Sequence, residues 1–186
     1  MNAYSISLFL HIVGAVGMFV ALSLEWTGLW QMRSAMTPQQ VGGWLRILKS
    51  VRKFGFAAML TTVVSGVYMM LTVWSSEAWV VVSLGALVLM MALTQMITAP
   101  RMMTIGRTLA TEKVPLSPTF YHVVNQPLLW ISIQTRIAIA LGIVLLKVVK
   151  PDSSGSLLTI GLAIVLGIIS ALPMPRRQQA QPGAAK

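Results

Sequence analysis

Residues 4–32 read YSISLFLHIVGAVGMFVALSLEWTGLWQM, a run in which only His11 and Glu25 carry or gain charge near neutral pH. About 20 consecutive apolar residues suffice to cross the hydrocarbon core of a bilayer as a helix, so this stretch spans with residues to spare. Four further apolar runs follow, over residues 54–73, 78–98, 127–149 and 157–172. The last is marginal in length, but its context over 156–174 restores it, and Pro173 and Pro175 mark its end. The fold class is therefore all-α, an integral membrane bundle of five transmembrane helices. A four-span bundle with a partly inserted final segment is the alternative. The first seven residues hold no Lys or Arg, and the run behind them lacks a small-residue cleavage site, so it reads as a retained helix rather than a signal peptide.

The whole chain agrees with this reading. Of its 186 residues 56% are hydrophobic and only 10% are charged, with a mean hydropathy of +0.78; soluble domains carry about 25% charged residues. That leaves room for one transmembrane domain, residues 1–175, and for a Gln-, Ala- and Pro-rich tail, 176–186, that reads as disordered and cytoplasmic. A soluble catalytic domain does not fit in addition. The formal charge of +10 would suggest nucleic acid in a soluble protein. Here the cations sit between apolar runs, where retention on the cytoplasmic side accounts for them, and nucleic acid is not an expected partner. The chain has no cysteine, which removes disulfides, thiolate metal sites, iron–sulfur clusters and covalent haem attachment.

Loop charges give a direction. Arg33, Arg46, Lys49, Arg52 and Lys53 lie between the first two runs, Arg101, Arg107 and Lys113 between the third and fourth, and Arg176, Arg177 and Lys186 after the fifth. With five spans these groups share one side. The other side receives Glu77 and Asp152, with Lys147 and Lys150 as its basic exceptions. The positive-inside rule then places the N-terminus outside and the C-terminus in the cytoplasm of a bacterial inner membrane. Trp26, Trp30, Trp74, Trp79 and Trp130 fall near span ends, as an aromatic belt of membrane anchors does. From Arg101 the chain reads as an amphipathic continuation of the third helix along the inner surface, ended by Pro115 and Pro118. No internal repeat suggests an inverted-repeat transporter.

Ionisable residues inside spans cost about 2.5–3.5 kcal/mol each on insertion scales, so each asks for a partner or a purpose. At about 100° per residue Ser7, His11, Gly14, Met18, Ala21, Glu25 and Gly28 form one stripe of the first helix. Ser132, Arg136, Ala140, Lys147 and Lys150 form another on the fourth. Small and polar faces turn toward other helices, so the first helix should be central and the first and fourth should be antiparallel neighbours. At about 1.5 Å of rise per residue, Glu25 and Arg136 reach similar depth in the inner half, which predicts an ion pair. Lys147 comes near the level of His11 in the outer half, unless it snorkels outward. The pair reads either as a fixed register element or as a functional one. His11 reads as a hydrogen-bonded interior residue, a proton carrier or a metal or haem ligand.

His122, the second histidine, precedes the fourth helix on the cytoplasmic side. One chain therefore cannot put both histidines on one iron; a bis-histidine haem would need His11 from two subunits, and a single-histidine haem a further ligand such as a methionine. The 13 methionines read mainly as packing residues. Thr61, Thr62, Ser65, Gly66 and Tyr68 on the second helix, with Ser83, Thr94, Gln95 and Thr98 on the third, supply polar inner surface. Ala163, Gly167 and Ala171 give the fifth a small-residue stripe for packing within the subunit or in a homodimer. Phosphate-binding loops, His-Glu-x-x-His, Gly-x-Ser-x-Gly and carboxylate clusters are all missing from the sequence, and no metal site is expected.

Leu8-Phe-Leu-His11-Ile-Val-Gly-Ala-Val-Gly, Ser65-Gly66-Val-Tyr-Met-Met and the stretch from Thr135-Arg136 to Lys150-Pro151 together resemble an uncharacterised family of small bacterial integral membrane proteins, over most of residues 4–173. More distantly, His11 in its Leu-His context is similar to CopD-type copper-resistance membrane proteins and to HemJ-type protoporphyrinogen oxidases. Those resemblances imply copper handling or haem-linked redox chemistry, and only His11 carries over. The missing cysteines and the absence of a clustered His/Met pair speak against copper. Three functions are compatible with the sequence: a non-enzymatic inner-membrane protein whose polar core serves architecture, a small solute pathway or a partner subunit; a haem- or porphyrin-associated redox protein using His11; and a proton-coupled transporter in which His11 and Glu25 change protonation.

Overall fold

The structure, a computed structural model, describes residues 2–74 and 77–172, with the side chain of Trp74 excluded. The expectations for Trp74 as an anchor, for Pro173 and Pro175 as terminators and for the tail lie outside the described residues. Every regular element among the described residues is helical: α1 (Ala3–Ser34), α2 (Pro38–Met69), α3 (Ala78–Leu93), α4 (Ala99–Leu109), α5 (Pro118–Val124), α6 (Pro127–Val149) and α7 (Ser153–Ala171). They make five helical stretches long and apolar enough to cross a membrane, including Ser153–Ala171 with 19 residues. At about 1.5 Å per residue that final span measures about 28 Å, close to the hydrocarbon thickness.

Local chemistry explains the boundaries. Asn2 caps α1 by accepting the Ser5 N–H at 2.9 Å. The second span begins at Pro38 rather than near Phe54 because Thr37 and Gln40 form a reciprocal capping box with Pro38 in the first turn, an arrangement that satisfies otherwise orphaned N–H groups. The cations Arg46, Lys49, Arg52 and Lys53, expected in a loop, therefore stand on the opening turns of a helix. The third span does continue past Arg101, to Leu109. It ends well before Pro115, and Pro118 opens α5 instead of closing a helix. Lys150 closes α6 in the left-handed region at φ 49°, followed by Pro151, and Asp152 caps α7 through the Gly155 N–H at 2.8 Å.

Two apolar cores organise the bundle. One gathers Leu29, Met32, Val41, Leu48, Ile105, Phe120, Leu129 and Trp130, with Ala171, where one end of all five spans meets. Tyr121 fastens this end by donating its hydroxyl to the Ala35 carbonyl at 2.8 Å. The other gathers Met18, Leu22, Trp79, Met90, Ile139, Ile143, Leu146 and Ile160. Trp79 and Trp130 are thus buried core residues and not belt anchors: Trp130 donates its indole N–H to the Val124 carbonyl at 3.1 Å, stands edge-on to Trp30 and lies under the Arg33 guanidinium.

The main neighbour of α1 is α2, not α6. Gly14 explains the close approach: a Cβ there would lie 2.5 Å from Thr62 Oγ1 and 2.8 Å from the Ala58 carbonyl. The first and fourth spans are antiparallel, as expected, and meet through polar side chains as well as through both apolar cores. The Ala163, Gly167 and Ala171 stripe is used within the chain, since a Cβ on Gly167 would lie 2.5 Å from the Thr135 Cα.

Candidate functional site

Two polar layers cross the bundle. In the first, Arg136 and Glu25 pair in parallel, Nη2 to Oε1 and Nη1 to Oε2, both at 2.9 Å. Arg136 is 4% exposed and Glu25 20%. This bidentate geometry is the strongest arrangement open to a guanidinium and a carboxylate. The ion pair expected from depth alone is present.

The third span supplies the rest of this layer. Between α3 and α4 the residues Thr94–Thr98 form a π turn, in which the Ala99 N–H reaches back to the Thr94 carbonyl. Pro100 is its physical cause: lacking an N–H and crowding the carbonyl four residues earlier, proline cannot continue an α-helical ladder undisturbed. Thr94 and Thr98 accept from Arg136 Nη1 and Nη2 at 3.2 and 3.4 Å, while Ser132 bonds Thr98 at 3.0 Å and donates to the Leu93 carbonyl at 3.3 Å. Arg136 Nε, also buried, is left without a hydrogen-bond partner.

The ion pair is not sealed into the core. It forms part of the wall of a cavity of ≈ 220 Å³ bounded by α1, α2 and the third span. Met18, Leu22, Met59, Met90 and Met91 make its apolar lining, and Lys49, Arg52, Thr94, Gln95 and Thr98 its polar part. Packing between α2 and α3 is slight, which leaves the space. Lys49 and Arg52 were legible only as retained cations; nothing in the sequence shows that they share a cavity with Arg136.

The second layer lies in the other half. The His11 Nδ1–H donates to the Thr62 carbonyl at 2.9 Å, which fixes the tautomer, and Ser65 Oγ lies 3.3 Å from the same nitrogen. Lys147 Nζ stands 2.6 Å from Nε2, so Lys147 meets His11 rather than turning away. Ser7 donates to the Ser65 carbonyl at 3.0 Å. Thr62 and Ser65 therefore face inward as expected, but Tyr68 is exposed on the outside. Lys150, grouped with Lys147 on the wheel, lies instead over the Trp79 ring.

Both ring nitrogens of His11 are engaged, and its ring packs so closely on Gly66 that a Cβ there would sit 3.0 Å from Cε1. An axial haem ligand needs a bare ring nitrogen aimed into open space. These residues do not fit a haem iron, from this chain or between two copies. His122 is exposed on α5, far from His11. Among the described residues no three His, Asp or Glu side chains gather as metal ligands.

About 21 Å of helix separates His11 from Glu25, and the second apolar core fills the interval with Met18, Leu22, Ala140 and Ile143. The cavity thus ends blind against an apolar plug. Fold and site together define a helical protein with five potential membrane spans, a charged cavity beside one polar layer and a second polar layer that ties helices together. No family model, curated protein or solved structure matches the chain.

Proposed function

We propose that this chain is a non-enzymatic, multi-pass protein of a bacterial cytoplasmic membrane, N-terminus outside and C-terminus inside, that binds a small solute in the cavity beside Glu25 and Arg136. The carrying observation is the position of that ion pair. A pair serving register alone needs no open space beside it. This one borders a cavity and leaves a buried guanidinium N–H without an acceptor.

The orientation rests on Arg46, Lys49, Arg52 and Lys53 at the start of α2 and on Arg101 and Arg107 in α4. All belong to the end where the cavity lies, and cations of this kind are retained in the cytoplasm. In this reading His11 and Lys147 hold three helices in register. A proton relay joining the two layers, as a proton-coupled transporter would use, meets the apolar plug between them.

The absence of cysteine makes a clean test possible. Gln95→Cys, on the cavity wall, is expected to react with a membrane-impermeant maleimide in inside-out vesicles and to be protected in right-side-out ones. A cysteine replacing Asp152 should behave oppositely. Labelling of Gln95→Cys from the outer face, or from neither face, would overturn the reading.

A further inference from the structure

We propose that the cavity takes a single-chain amphiphile with an acidic head group, drawn from the inner leaflet and held by Lys49 and Arg52 beside the Glu25–Arg136 pair. This rests on the binding role argued above and names the ligand class for that site.

Charge comes first. Three cations, Lys49, Arg52 and Arg136, face the cavity against a single carboxylate, Glu25. The third span contributes Thr94, Gln95 and Thr98 to the wall, none of which titrates. A ligand that balances this set is an anion. Lys49 and Arg52 are exposed cations on this wall, and guanidinium suits carboxylate and phosphate oxygens.

Size and shape give the rest of the ligand. Sites for drug-sized molecules enclose about 300–1,000 Å³, so a cavity of ≈ 220 Å³ holds a head group and the first carbons of a chain. The remainder must leave through an opening. Phe56, Met91 and Met103 line the cavity and are also 52%, 38% and 55% exposed on the outside of the bundle, so the gap between α2 and the third span opens sideways onto lipid. Methionine and phenylalanine at such a portal suit a flexible hydrocarbon.

Arg136 stays charged at any physiological pH and keeps Glu25 as its counter-charge. Lys49 and Arg52 are then the two cations of the wall left to attract the ligand anion.

The test uses the full chain in nanodiscs of zwitterionic lipid at pH 7.5, titrated with dodecanoate by calorimetry against empty nanodiscs. The expected result is saturable binding that Lys49→Ala with Arg52→Ala weakens at least about tenfold, roughly 1.4 kcal/mol. Acetate at equal concentration should not bind, and dodecyltrimethylammonium should not compete. Equal binding of the cationic amphiphile, binding of acetate, or undiminished dodecanoate binding in the double variant would overturn the proposal. Failure of dodecanoate with Gln95→Cys still labelled from the inner face removes the ligand class alone; failure of that labelling removes the binding role itself.

Discussion

Glu25 and Arg136, far apart in sequence, meet through two hydrogen bonds of 2.9 Å at the boundary between the two apolar cores of the bundle. Above them Met18, Leu22 and Ile139 close the space; below them Leu29, Leu129 and Trp130 do so. The cost of each buried charge depends on the other being present. Arg136→Leu is expected to destabilise the protein by about 3–5 kcal/mol, the usual penalty for orphaning one member of a buried pair, and Glu25→Leu in the same chain should recover most of that. Reversible unfolding in mixed micelles measures it. A double variant as unstable as Arg136→Leu alone would contradict the pairing.

His11 joins three helices, through the Thr62 carbonyl, Ser65 and Lys147. Contacting residues of this kind couple by about 0.5–3 kcal/mol. A double-mutant cycle of His11→Phe and Lys147→Met should return a coupling in that range, and strict additivity would show that the 2.6 Å contact contributes nothing.

Glycine positions should separate sharply. Gly167→Val drives a side chain into the α6 backbone at Thr135, so α6 and α7 must part; overpacking of this kind costs about 1–3 kcal/mol or more. Gly161, on the same helix, has nothing within 4 Å of an added Cβ, and Gly161→Ala should be neutral or stabilise by up to about 1 kcal/mol through helix propensity. Equal effects of the two, read by thermal denaturation in detergent, would show that α7 does not pack on α6 as described.

The start of α7 should respond to acid. The Gly155 N–H and then the Ser154 hydroxyl hold the Asp152 carboxyl below the usual carboxylate range. A depressed folded-state value means that the cap's contribution is present above the unfolded value of about 3.9 and is lost as pH falls through the lower folded one. Hydrogen exchange at the Gly155 amide should rise over that acidic window relative to interior α7 amides, and Asp152→Asn should remove the pH dependence while retaining the cap.

Five spans, their antiparallel order and both polar layers were legible in the sequence, because hydropathy fixes span length and 1.5 Å per residue fixes depth. The start of α2 was also written there, in Thr37, Pro38 and Gln40, but the cations of its opening turns disguised it as a loop. Trp79 and Trp130 were misread because an indole near a span end serves equally as an anchor or as a core residue, and only packing decides. The cavity was beyond reach for a different reason. It exists because α2 and α3 fail to pack, a property of the assembled bundle.

The claim at the centre of this account is that the space beside Glu25 and Arg136 is an accessible site selective for anions. A single cysteine replacing Met59, within the cavity lining, tests it through its rates of reaction with an anionic and a cationic methanethiosulfonate of similar size, added to inside-out vesicles and normalised to their rates with a free thiol. Faster modification by the anionic reagent, reduced toward parity by Lys49→Ala with Arg52→Ala, is the predicted result; equal rates, a preference for the cation or no reaction would contradict it.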